Sequence, residues 1–269
     1  MFHGALDGSN ASDIQSMLNL IDRVHFPKEC LKPALDKGLI ESHHPHPSSP
    51  SATNIYLTTM GDNKTPSEKP LLTDPPFYLP EFEESYRYII DEYDVEPKEI
   101  GIFLPCAMRK PYSSSPSHQL IRMVISQVLD PDQYHIVVFG TCGIVPGELE
   151  EMYPYAHYKY MLGKCKDQLV LDDFLRIETD RVAGYLGKTR DLYRYRIAYC
   201  LGIFREAFIR GAEQAGVRID LILPTKDVIN MIVEQGDCAF QEGSLSMDDY
   251  LGELCEELVR FRNSHLKKE

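Results

Sequence analysis

The stretch from Ile100 to Leu129 does most to limit what this chain can fold into. Ile100, Ile102, Phe103 and Leu104 form an apolar run short enough to be one buried strand, and the run breaks at Pro105. From Ser117 onward the period changes. Leu120, Ile121, Val124, Ile125, Val128 and Leu129 recur at one-and-four spacing, which puts them on one face of a helix. Ser117 suits its N-cap, as does Ser115 with Pro116 at the first helical position. A second apolar run follows at 134–139. Strand, helix and strand in this order predict a parallel pair joined by a right-handed crossover.

The loop between the first strand and its helix is dense in reactive side chains: Cys106, Arg109, Lys110, Tyr112, the consecutive Ser113, Ser114 and Ser115, and His118. In open α/β sheets ligands bind at the carboxyl ends of strands. A helix N-terminus at that place also favours anionic groups. The second strand ends in a comparable loop, Gly140-Thr141-Cys142-Gly143-Ile144-Val145-Pro146-Gly147-Glu148. If the two strands are neighbours, Cys106 and Cys142 lie close together.

The remaining pattern fits the same class. Residues 77–93 read as an aromatic amphipathic helix, 172–187 as a helix, and 191–215 as one long helix closed by Gly216. Residues 217–223 read as a third strand, 227–233 as a short helix and 246–266 as an acidic amphipathic helix. The expected architecture is α/β, a three-layer αβα domain with a mainly parallel sheet, over residues 76–269. Residues 1–75 look weakly organised. They hold short helical patterns at 13–24 and 26–39 and a Pro- and Ser-rich linker over about 41–75. His43, His44 and His46 in that linker read as a polar turn region in preference to a metal site.

Net charge is −13, which is awkward for a nucleic-acid partner because phosphate contacts dominate such affinities. Residues 176–218 run the other way, with nine Lys/Arg against five Asp/Glu. That segment is either a basic face for RNA or a solvated face of ion pairs. The tyrosines at 153, 155, 158 and 160 either stack on bases or fill a core edge, and the second is favoured. Seven cysteines without a CxxC pair fit a reducing cytoplasm better than a disulfide framework, and give no thiolate zinc site. No apolar run is long enough to span a membrane and no signal pattern opens the chain, so the expected location is cytoplasmic.

Pro105-Cys106, Lys110-Pro111-Tyr112, Ser115 and His118 stand at the spacing Pro-Cys-x3-Lys-Pro-Tyr-x2-Ser-x2-His. This resembles the signature of the archaeosine synthase family, with every fixed position filled. The resemblance extends from about Pro76 to about Gly216 and takes in Gly143-Ile144-Val145-Pro146, Glu148, Glu150 and Tyr153-Pro154. It implies a uracil-DNA-glycosylase-like fold. It also implies an archaeal tRNA-modifying enzyme that adds an amine, lysine in the two-step version, to the nitrile of 7-cyano-7-deazaguanine in tRNA. Larger members carry an RNA-binding PUA-type domain; this chain reads as a short form without it.

A nitrile is a weak electrophile, so the reaction calls for an activated nucleophile or a covalent relay. Cys106 is the natural candidate, as a thiolate that forms a thioimidate which an amine then displaces. Lys110 is expected to lower its pKa, and His118 to move protons. Arg109, Tyr112, Ser115 and Glu148 are the candidate substrate-binding residues. No metal or cofactor is implied. Radical cleavage of a lysine adduct would fall to a separate iron–sulfur partner, since this chain lacks the clustered cysteines. The alternative is a non-catalytic subunit that binds tRNA or the deazaguanine base beside a partner. A base-excision glycosylase rests on fold analogy alone.

Overall fold

Strand β1, Lys98–Pro105, is the middle of five strands, and this position explains its continuous apolar run. The computed structural model describes residues 71–235 and 242–266. The helical patterns at 13–24 and 26–39 and the histidine cluster lie outside them. β1 pairs in parallel with β2 (Tyr134–Gly140) on one side and β4 (Tyr193–Tyr199) on the other, so that Ile102 stands opposite both Ile136 and Ile197. β5 (Leu221–Leu223) extends the sheet in parallel beyond β4, and β3 (Gly143–Pro146) closes the far edge antiparallel to β2.

The alternation along β1 divides the core. Ile100, Ile102 and Leu104 point to one face, where they meet Ile121, Val124 and Ile125 of α2 (Pro116–Val128) and Leu251, Leu254 and Leu258 of α6 (Asp248–His265). Phe103 points to the other face, with Phe82 and Ile89 of α1 (Pro80–Asp91), Val182 and Tyr185 of α3 (Gln168–Lys188), and Phe208 of α4 (Gly202–Ala215). Helix α5 (Lys226–Gln235) adds the buried Ile232 to the first face. The layers are therefore helix, sheet, helix, as the periodicity implies. At the start of α2 the chain uses Ser115 as N-cap residue, with Pro116 in the first turn.

Two segments form a different element from the one the sequence suggests. Residues 191–215 are not one helix: they are β4 followed by α4. Tyr193, Ile197, Ala198 and Tyr199 are buried because helices cover both faces of the sheet, so β4 does not show the plain alternation of a half-buried strand. Gly202, at φ +55°, makes the turn into α4. The other departure is at the second loop, where 143–146 pairs as β3 and does not run free. The third expected strand is shorter than 217–223 and forms only at β5.

The basic segment is taken up by the domain itself. Lys188, Arg190, Arg196 and Arg205 donate to backbone carbonyls. Arg176, Arg181, Arg194, Arg210 and Arg218 pair with Asp173, Glu83, Glu99, Glu206 and Asp220. This is the self-paired reading, not an unpaired basic face. Tyr155 and Tyr158 are likewise core residues. Cys106, Cys142, Cys165 and Cys200 are free thiols, whereas Cys255 is disulfide-bonded, which the sequence reading did not anticipate.

Candidate active site

Cys106 is the first residue past β1, and its N–H donates to Phe139 O of β2 at 2.7 Å. That bond carries the strand pairing one residue beyond β1 and fixes where the thiol leaves the backbone. Its Sγ lies 3.2 Å from Thr141 Oγ1, in the turn joining β2 to β3. Cys142, the next residue, turns its thiol to the same sulfur while also lying 3.5 Å from Gly143 O. The expected approach of Cys106 and Cys142 is thus present. Gly140 makes it possible. Its φ is +131°, and a Cβ there would stand 2.9 Å from Cys106 Sγ and 2.8 Å from the Phe204 ring.

The surroundings favour the thiolate. Hydrogen bonding from Cys142, then from Thr141, and the nearby Lys110 ammonium bring the Cys106 thiol down to about 6, against the burial that opposes them. Burial first, then the hydrogen bond to Cys106, then the Cys106 charge, push Cys142 well above the usual thiol range. Of this pair only Cys106 ionises near neutrality, and it is partly exposed where Cys142 is buried.

Lys110 Nζ donates to Met108 O at 3.1 Å and sits 3.7 Å above the centre of the Tyr158 ring. Burial lowers its pKa. Tyr112 and Tyr158 are both buried, with their hydroxyls 3.3 Å apart, and Tyr158 Oη is 3.3 Å from Thr141 Oγ1. A chain of hydroxyls therefore runs behind the thiol. Tyr112 has no exposed surface, so it supports the cysteines from within. Arg109 lies exposed on the same loop.

Three other expected site residues take different places. His118 is 2% exposed, and burial above all pulls its imidazole down to about 4. Its Nε2 is 2.8 Å from Pro105 O, and because a carbonyl only accepts, Nε2 carries the proton and donates. The ring is a neutral tie between α2 and the end of β1, not a ready proton donor. Ser115 is buried at the N-cap position of α2, with its hydroxyl 3.0 Å from that of Ser117. Glu148 is not in the cluster at all. Antiparallel β3 carries the chain back to the amino end of β2, where Glu148 Oε2 meets His135 Nε2 at 2.8 Å and Oε1 accepts from Tyr93. At about 3.3 Å per residue, His135 is roughly 13 Å along the strand from Phe139.

Sequence reasoning overlooked several residues. Thr141 and Tyr158 complete the thiol network. Glu150 accepts from Ser113 N at 2.9 Å and lies 3.8 Å from Arg122 Nη2, which pins the Lys110–Ser115 loop to α2. Glu178 of α3 accepts from Gly140 N at 2.8 Å. Thr141 was legible as the neighbour of Cys142, but nothing local marks Glu178. Among the described residues no three of His, Cys, Asp and Glu converge as metal ligands would.

A depressed, partly exposed cysteine at the carboxyl end of the central parallel strand defines an activated-thiol site on an α/β domain. Comparison with known proteins agrees with the motif around it. A family model described as a domain of unknown function (DUF5591) matches residues 83–196. Archaeosine synthase subunit alpha of Methanosarcina acetivorans is 32% identical over 135 residues, covering 49% of this chain and 20% of that protein. Archaeosine synthase subunit alpha of Thermoplasma acidophilum is 27% identical over 197 residues, covering 72% of this chain and 37% of that protein. Over these stretches the chain is similar to the archaeosine synthase family, and it spans well under half the length of these curated relatives. A model for the C-terminal domain of Fic-like proteins (filamentation induced by cAMP) matches residues 4–54, outside the described residues. Among solved structures, that of AF0587, a protein of unknown function, aligns with a TM-score of 0.41 at 16% identity. It covers 66% of this chain and 48% of its own, a likeness too loose to carry an argument.

Proposed function

We propose that this domain adds lysine, or another amine, to the nitrile of 7-cyano-7-deazaguanine in tRNA, on the route to archaeosine, through a covalent thioimidate on Cys106. The supporting observation is the Cys106 thiol, held at about 6 by Cys142, Thr141 and Lys110 at the open end of the sheet. In the first step the thiolate bonds to the nitrile carbon. One C–N π pair moves onto nitrogen, which takes a proton from Lys110, the nearest cationic acid. In the second step the amine attacks the same carbon and gives up a proton to the now neutral Lys110, and the C–S bond breaks to return the thiolate. The product is an amidine. His118 positions Pro105, and through it Cys106; the exposed Arg109 and the half-buried Lys110 beside the thiol are the cationic groups available to substrate.

The wider reading goes with this. The domain, residues 76–269, takes the uracil-DNA-glycosylase-like arrangement of its family. It works in an archaeal cytoplasm with a tRNA-binding or radical-enzyme partner subunit. Among the described residues no helix is long and apolar enough to cross a membrane. The test is to incubate the purified chain with tRNA bearing the cyano base and isotopically labelled lysine, then digest and look for a labelled nucleoside. Label in the nucleoside, lost in Cys106→Ala, supports the reaction. tRNA binding without transfer, in the presence of the partner subunit, turns the assignment to a binding module.

A further inference from the structure

Behind the thiol lies a carboxyl that the mechanism above does not use. Glu178 has no exposed surface. Its Oε1 accepts from Gly140 N–H at 2.8 Å, and Gly140 is the residue whose missing Cβ lets the turn touch Cys106 Sγ. Its Oε2 has no hydrogen-bond partner. Among the described residues no cation stands within ion-pair distance of it. Arg181, three residues along α3, reaches instead to Glu83, at 3.4 Å.

We propose that Glu178, as a neutral carboxylic acid, is the positioning residue that holds the Gly140–Cys142 turn against the Cys106 sulfur. The inference rests on the thiol reading above and deepens it, because it names what keeps the two thiol-activating donors in place. The physical reason for the neutral form is burial. An unpaired carboxylate in such a place carries a large desolvation penalty, whereas the neutral acid leaves only a polar group short of one partner. Burial accordingly pushes Glu178 up to about 8, with Arg181 and the Gly140 N–H pulling the other way and the Cys106 charge adding to the rise. The groups that face it are Arg181 on its own helix, Cys106 and Cys142 at the sheet edge, Tyr155 in the loop after β3, and Tyr86 of α1. Between the two titrations Cys106 is a thiolate and Glu178 an acid, so the turn is anchored without a second negative charge beside the nucleophile. The two groups titrate as a coupled pair.

The test needs no tRNA, so it stands apart from the assay for amine transfer. Alkylation of Cys106 by neutral iodoacetamide and by anionic iodoacetate is followed by peptide mass spectrometry from pH 5 to pH 10. Wild type, Glu178→Gln and Glu178→Ala are compared, with circular dichroism to confirm folding. In the wild type the iodoacetamide rate rises through about 6. The iodoacetate-to-iodoacetamide ratio then falls severalfold through about 8, as the carboxylate charge appears. Glu178→Gln keeps the acceptor for Gly140 and cannot ionise. It retains the first rise and loses the part of the fall that Glu178 causes, leaving only what Lys110 contributes. Glu178→Ala removes the anchor, and its iodoacetamide rate at pH 7 drops about tenfold as the thiol moves toward its ordinary range. The proposal is overturned if Glu178→Gln shows the full wild-type fall in the ratio, or if its thiol titrates in the ordinary range. A folded Glu178→Ala protein whose thiol stays near the wild-type midpoint overturns it as well. If Glu178→Ala does not fold, the Gln comparison decides alone.

Discussion

Two hydrogen-bonded clusters sit at opposite ends of strand β2, and they differ in what they leave open. At the amino end, Tyr93, Glu148, His135, Tyr193 and Tyr185 are joined in one line, with His135 Nδ1 2.6 Å from Tyr193 Oη and the two tyrosine hydroxyls 3.0 Å apart. Every side chain in that line has its partner. At the carboxyl end the donors converge on one sulfur, that sulfur is partly exposed, and a buried carboxyl oxygen behind it has no partner. Both ends contain titratable groups moved far from their usual ranges, so perturbation alone does not mark the site. What separates the ends is that one shields a satisfied network and the other presents a partly exposed thiol whose pKa is lowered.

The sharpest way to test that contrast is to remove the sulfur. Cys106→Ala is expected to abolish both amine transfer and fast alkylation while leaving the thermal unfolding midpoint close to wild type, since the thiol is at the edge of the core. A variant that still transfers lysine at the wild-type rate would break the thioimidate route. Next in size is Gly140→Ala. A side chain there meets the sulfur and the Phe204 ring in a backbone region that L-residues rarely adopt. The expected loss is about 1–3 kcal/mol from backbone strain, measured by chemical denaturation, together with slower alkylation at pH 7. Gly163→Ala is the matched control, because nothing lies within 4 Å of its added Cβ.

The carboxyl end was also the more legible of the two in the sequence. The run at 100–104, the helical period after Ser117 and the second run at 134–139 each obey one periodicity, and together they set β1, α2 and β2. The loop between them announced Cys106 and Lys110 through residue type alone. Glu148 looked like part of the same site because it follows Cys142 by only six residues. The antiparallel return of β3 was invisible, since Gly143–Pro146 has no alternation to read. β4 failed for a related reason. A strand covered on both faces shows no single period, and Tyr195, Ala198 and Tyr199 also satisfy helical spacing. Glu178 was unreadable because its function depends on a backbone N–H 38 residues away.

A smaller effect is expected from Lys110→Met. The ammonium is one of several contributions to the low thiol pKa, after the Cys142 and Thr141 hydrogen bonds. Removing it should raise the thiol midpoint. Alkylation at pH 6.5 then slows severalfold and recovers above pH 8. An unchanged midpoint would mean that the hydrogen bonds alone hold the thiolate, and would leave Lys110 to substrate binding.

The smallest expected effect is at the other end. Burial pushes the Glu148 carboxyl up, but the hydrogen bonds from His135 and Tyr93 outweigh it and hold the group at about 2. A depressed carboxylate contributes stability above its unfolded value of 4.5 and loses it as pH falls toward the folded one. Glu148→Gln should therefore unfold slightly below wild type at pH 6–7, and the difference should close between pH 4.5 and pH 2. The group is exposed, so salt should shrink the difference further. The same variant should leave the alkylation rate of Cys106 unchanged at every pH. Slower alkylation in Glu148→Gln would show that the two ends of β2 are coupled through the strand, and the contrast between a satisfied network and an open site would then have to be redrawn as one continuous system.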